Sequence, residues 1–306
     1  MSAEAIDLSG DSRRRAREAA VRYVLIVAAG ISILVSILIV VSLFGQAMTF
    51  LGSLDSVSQL WDSRGWRPAD LAFDVRTIVV GSLTISAVAM VVAVPMGLGA
   101  AVYLSEYANP RMRRIVKPIV EILAGVPSVV LGFFALTFIT PNVVQKLFGD
   151  ANTFNMLAAG LAVGVLVSPL MASITEDALR AVPMSLREAS YGLGARKRTT
   201  IMKVVLPAAI SGIVASIIIT VSRAIGETMV VTIAAGGSGS SPFTANPLDP
   251  SLTMTSAIAN LATGSDAPTV GDPFASLYFV GLLLFLVTLG LNVLGDRVVR
   301  KHRRSY

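Results

Sequence analysis

Apolar residues fall in six long blocks along the chain, at 23–44, 77–104, 115–140, 154–174, 206–235 and 275–294. A helix that crosses a bilayer needs about 20 apolar residues, and each block meets that length. None shows the strict two-residue alternation of a half-buried strand. The pattern therefore predicts an all-α polytopic membrane protein with six transmembrane helices. No small-x-small cleavage pattern follows the first block, so it is read as an uncleaved span. Pro95 with Gly97 and Gly99, and Gly125 with Pro127, interrupt two of the blocks and predict kinks there.

Composition agrees with the pattern. Of 306 residues 54% are hydrophobic and 14% charged, and the mean hydropathy is +0.73. A soluble protein carries about 25% charged residues, and a disordered chain carries fewer apolar ones. The net charge of +6 reflects topology, because the basic residues alternate in density between successive polar segments. Five lie in 1–22, four (Arg111, Arg113, Arg114, Lys117) around the second connection, six in the segment 180–203 and five after 296. The intervening segments hold three (Arg64, Arg67, Arg76), one (Lys146) and none. Excess Lys and Arg mark the cytoplasmic side, which predicts that both termini are cytoplasmic. A nucleic-acid partner is not required to explain the charge.

This reading divides the chain into a cytoplasmic tail (1–22), a six-helix permease domain (23–298) and a short C-terminal tail (299–306). Its outer loops are 45–76 and 236–274. The latter is rich in Gly, Ser, Thr and Pro, holds Asp249, Asp266 and Asp272, and has an apolar stretch at 252–261 that reads as a docking surface or lid. With no cysteine and one histidine, His302, there is no disulfide, thiolate nucleophile or Cys/His metal site, and no catalytic residue or metal ligand is assigned. No G-x-x-x-x-G-K-[ST] motif occurs, so nucleotide chemistry, if coupled, belongs to another chain.

The segment 181–205 carries both charge and helical patterning. Ser185 and Glu188 have capping-box spacing just after Pro183, and Gly192 or Gly194 suits a helix end. A second piece, with Arg196, Lys197, Arg198 and Lys203, leads to Pro207 at the start of the fifth block. The run Glu188-Ala189-Ser190, then Gly194, then after nine intervening residues Val204-Val205-Leu206-Pro207, resembles the EAA loop of permeases of ATP-driven importers. Ser190 replaces an alanine and Val204 an isoleucine. The resemblance implies the type I ABC importer permease (MetI-like) architecture. It also implies that Glu188, Ala189, Ser190, Gly194, Leu206 and Pro207 couple the chain to a separate ATPase.

Inside the fifth block stand Arg223 and Glu227, four residues apart and so on one helix face. An arginine near the bilayer centre costs about 3 kcal/mol on insertion scales, and such residues mark transport paths. A guanidinium fork suits an oxyanion, and Ser222, Thr228 and Thr232 add hydroxyls. A buried ion pair that only fixes packing is the competing reading. Arg76 at the edge of the second block is explained by snorkelling, and Glu121 reads as the i,i+4 partner of Lys117.

The run from Ser222 to Ile233 resembles the corresponding span of phosphate-importer permeases of the PstC type. So do the stretches Tyr103 to Ala108, Lys117 to Gly132 and Glu176 to Pro183. The similarity extends over about residues 75–298. It implies a permease, not an enzyme, in a bacterial cytoplasmic membrane, with Arg223 and Glu227 in the phosphate path. It further implies a PstA-type partner permease, an ATPase dimer that uses ATP and Mg, and an external phosphate-binding protein. This chain would hold no cofactor itself. A PstA-type role, another oxyanion, a gradient-driven carrier and a scaffold without transport remain alternatives at this point.

Overall fold

The computed structural model describes residues 12–62, 64–236, 242–264 and 272–302. Every regular element among them is helical, joined by short turns and two isolated bridges. In chain order the helices are α1 (Ser12–Ser53), α2 (Val75–Tyr107), α3 (Pro110–Leu123), α4 (Ser128–Leu147), α5 (Met156–Arg180) and α6 (Met184–Gly192). They continue as α7 (Lys197–Ala208), α8 (Ile210–Ile225), α9 (Met229–Ala234), α10 (Met254–Thr263) and α11 (Asp272–His302).

Five helices, α1, α2, α4, α5 and α11, are long and apolar enough to cross a bilayer. The sixth span is α7 with α8, which meet at a 68° bend. Six spans were expected, but two are drawn differently. Residues 115–123 of the third block belong to α3, a separate amphipathic helix, and the span runs over 128–147. Pro127 causes this, since its ring disfavours a helical residue before it and it supplies no N–H. The fifth block is interrupted twice, at Ala209 and again at Gly226–Thr228. By contrast α2 continues through Pro95 without a break.

The centre of the fold is α5 packed along α2. Small residues bring the two backbones together, as is usual for helices in a membrane. A methyl group at Gly164 would lie 2.7 Å from the Ala89 carbonyl oxygen, and one at Gly160 would lie 2.6 Å from Val88 Cβ. Buried hydroxyls of Ser82, Ser86, Ser216 and Thr220 are satisfied by carbonyls three or four residues earlier, while Thr175 and Ser216 meet at 2.7 Å between α5 and α8. α1 packs against α11 and is otherwise almost wholly exposed along its apolar length, which is the surface expected of a lipid-facing helix.

Gly164→Ala should therefore lower the thermal unfolding temperature in detergent, with a cost of about 1–3 kcal/mol from overpacking. Gly99→Ala, where nothing lies within 4 Å, should leave it unchanged. Equal melting of the two variants would contradict the proposed role of the α2–α5 contact.

Candidate functional site

The ladder of α8 stops at Ile225, and Gly226, Glu227 and Thr228 form an open turn before α9. Gly226 donates to Ser222 O (3.2 Å) and Glu227 to Ala224 O (3.2 Å), which closes the helix end. The carbonyl of Glu227 accepts a hydrogen bond from Thr255 Oγ1 of α10 at 2.8 Å. Thr232 Oγ1 lies 2.8 Å from Thr228 O and 2.9 Å from Ser256 Oγ. Thr253 caps α10, whose Met254 N–H reaches Ser82 Oγ of α2 at 3.0 Å. The apolar stretch 252–261 thus folds back into the bundle, with Leu252, Met254, Ala257 and Leu261 buried. Asp249 of the same loop accepts from Asn152 and Thr244, whereas Asp266 lies outside the described residues.

Arg223 is the last-turn cation of α8, and Glu227 sits in the open turn. The two were expected on one continuous helix face, but the helix breaks between them. Their closest approach, Nη2 to Oε2, is 4.0 Å. The Glu227 side chain is 6% exposed and that of Arg223 57%. A buried carboxylate thus faces an exposed guanidinium at the edge of ion-pair distance, which leaves most of the guanidinium's donors free for another anion. The hydroxyls expected beside it are used otherwise. Ser222 Oγ donates to Asn292 Oδ1 of α11 (3.1 Å), and Thr228 Oγ1 makes a long contact to Gly226 O (3.4 Å).

At the bundle end bearing 181–205, α6 begins directly after Pro183 and has no side-chain cap. The capping box expected of Ser185 and Glu188 does not form, because Ser185 already lies in the first turn. Gly194 adopts φ +77°, a left-handed conformation that favours glycine, and Ala195 N–H then reaches Ser190 O at 3.1 Å. Glu188, Ala189, Met184, Tyr191 and Leu193 are exposed, the last at 90%. Ser190 Oγ instead meets Thr200 Oγ1 of α7 at 2.9 Å. Leu206 and Pro207 stand at the elbow before α8, beside a cluster of Ala101, Leu179, Val182, Val205, Ala209 and Ile213.

Three charge clusters were not anticipated. Glu176 of α5, 1% exposed, pairs with Arg113 (2.5 Å) and Lys117 (3.4 Å) of α3. Lys117 therefore serves Glu176 and, at 4.0 Å, Asp177, not Glu121. A carboxylate late in an apolar block needs a cation, and Arg113 and Lys117 share one face, so the signal was there. Arg187 of α6 pairs with Glu106 at 2.9 Å. In the outer loop, Arg76 Nε binds Asp74 Oδ1 at 3.0 Å and its guanidinium lies over Trp61 and Phe243, a fixed arrangement where snorkelling was expected. Nearby, Arg64 hydrogen-bonds the Asp62 carboxylate and holds its pKa below the usual value.

Residues 93–304 match the family described as the binding-protein-dependent transport system inner membrane component. The chain belongs to that family. It is 33% identical to a phosphate transport system permease protein PstC of Pasteurella multocida, over 80% of this chain and 82% of the relative. It is 31% identical to a probable ABC transporter permease, YqgH, of Bacillus subtilis, over 95% and 94%. A PstA 1 phosphate permease of Mycobacterium tuberculosis shares 41% identity over 58% of this chain and 55% of its own length. The fold is similar to that of a bacterial alginate ABC transporter (17% identity, TM-score 0.65, 94% of this chain and 96% of that one). It is also similar to the MetNI methionine ABC transporter (22%, 0.56, 81% and 100%). The all-α, MetI-like permease architecture is thereby established.

Glu176→Ala should leave Arg113 unpaired and Lys117 with only its 4.0 Å contact to Asp177, and loosen α3 from α5. The expected cost is about 3 kcal/mol, the lower end for breaking a buried pair, because both cations still reach water. Thermal unfolding and protease cleavage within 110–123 would measure it, and unchanged melting with a protected α3 would refute it.

Proposed function

We propose that this chain is the PstC-type permease subunit of an ATP-driven importer that carries inorganic phosphate across a bacterial cytoplasmic membrane. The observation that carries the reading is the exposed Arg223 beside buried Glu227 at the break in a membrane span. A cation in that position offers a passing oxyanion a site without closing it permanently, since Glu227 competes for the same guanidinium. Relatives named as PstC permeases, aligned over about four fifths of the chain, support phosphate as the cargo and favour the PstC role over the PstA role.

In this reading both termini and the loop 181–205 face the cytoplasm, in line with the distribution of basic residues. The exposed face of α6, with Glu188, Ala189, Tyr191 and Leu193, docks into an ATPase subunit, and Gly194 sets the chain direction out of that contact. Leu206 and Pro207 act one step away, at the elbow that leads to α8 and Arg223. ATP and Mg are bound by the ATPase dimer, and the chain itself performs no catalysis. A PstA-type permease completes the pathway, and an external phosphate-binding protein docks on the outer loops 45–76 and 236–274. Ser222 and Thr228 flank the path and steady α8 and the open turn.

Arg223→Gln should abolish phosphate uptake by the reconstituted complex while assembly persists, and undiminished uptake by this variant would remove the anion site. Gly194→Asp or Glu188→Lys should release the ATPase or uncouple hydrolysis from transport. Since the chain has no native cysteine, Leu193→Cys gives a second check. It should crosslink to a cysteine introduced in the ATPase cleft, and a stable complex without crosslinking would displace α6 from that contact.

A further inference from the structure

Resting on the reading of α6 as the coupling helix, we infer that Arg187 is a positioning residue that ties α6 to α2 and α5 together. One guanidinium donates three hydrogen bonds, one to α2 and two to carbonyls at the end of α5. Nη2 donates to Glu106 Oε1 at 2.9 Å and to Leu179 O at 2.9 Å, and Nη1 donates to Val182 O at 2.7 Å. Glu106 lies in the final π-turn of α2, where Ser105 Oγ also donates to it at 3.0 Å. Leu179 lies in the last turn of α5 and Val182 two residues past its end, where carbonyls lack the usual i+4 partner (Leu179 O has a long 3.4 Å contact from Val182 N) and a cation is favoured.

The environment makes this link firm. The side chains of Arg187 and Glu106 are 12% and 7% exposed, so the pair is screened little by water. Apolar contacts of α6 through Leu186 with the cluster around Leu179 and Val182 hold it close but set no direction. The planar fork of Arg187 fixes both distance and register. Its neighbour Glu188 points to solvent and is free for the ATPase. Adjacent residues thus divide the work, with Glu188 and Leu193 taking the push and Arg187 passing it to the two most closely packed spans. Because α2 and α5 are locked by Gly160 and Gly164, a pull at their shared end moves them as one body.

The test compares Arg187→Ala, Glu106→Ala and the double variant in the complete complex, reconstituted with its partner permease, ATPase and binding protein. Both single variants should retain the ATPase and its basal hydrolysis, yet move at least about fivefold less phosphate per ATP, the lower bound of ordinary coupling energies. The double variant should be no worse than Arg187→Ala alone, as for two residues acting as one unit. A wild-type ratio in either single variant, or losses that multiply in the double, would overturn the assignment. Should Arg187→Ala fail to assemble, Arg187→Lys decides, because it keeps the charge but not the fork. A reduced ratio with intact assembly supports the assignment and a wild-type ratio refutes it. The wild-type complex separates the two readings. If it moves no phosphate, the functional proposal fails, whereas normal wild-type transport with unaffected variants removes only the role of Arg187.

Discussion

A backbone carbonyl released from its helix inside an apolar bilayer has no water to turn to, and much of this structure answers that constraint. The open turn at Gly226–Thr228 frees such groups where α8 ends and before α9 begins. Thr255 Oγ1 reaches the Glu227 carbonyl, and Thr232 and Ser256 join α9 to α10 beside it. Two of those hydroxyls, Thr255 and Ser256, come from α10, a helix of the 236–274 segment that packs into the bundle, capped by Thr253 and anchored on Ser82 of α2. The break in turn sets an exposed guanidinium in the last turn of α8 against a buried carboxylate within the turn itself. The candidate site, α10 and the open turn after α8 are therefore one arrangement.

On the proposed reading, the opposite end of the bundle meets a different demand, that of moving rigid helices from outside the membrane. α2 and α5 are too closely packed to slide past each other at Gly160 and Gly164. Their ends are gathered by buried charge, with Arg187 joining Glu106 to the α5 carbonyls and Glu176 holding α3. Such pairs add little net stability over apolar residues of similar shape, but losing one partner is costly. The elbow at Ala209 then links α7 to α8, at whose far end Arg223 stands. A displacement of α6 thus has two routes to the site, through the α2–α5 body and through the elbow.

Much of this could be read from the sequence. Block lengths gave the six spans, and Arg223 and Glu227 stood out because charge in an apolar block is costly. What escaped was set by contacts between distant segments. Arg187 lies 81 residues from Glu106, and nothing local distinguishes it from the other basic residues of its loop. The third span was placed too early because 115–123 is apolar on one face only, and a block count ignores faces. The fifth span was drawn as one helix because Ala209 and Gly226 carry no strong breaker signal. At the turn a tertiary partner, Thr255, takes up the freed Glu227 carbonyl, whereas at the elbow Ala209 stays bonded to its own neighbours Val205 and Ile213 while the axis bends.

The central claim is that this permease passes phosphate in response to ATP hydrolysis by a separate subunit. It is tested most directly by uptake of labelled phosphate into liposomes containing this chain with its ATPase and partner permease, binding protein outside, and sulfate and molybdate as competitors. The account predicts uptake that requires internal ATP and is unaffected by either competitor. ATP-driven uptake of a different anion, or a chain that copurifies with no ATPase, would contradict it.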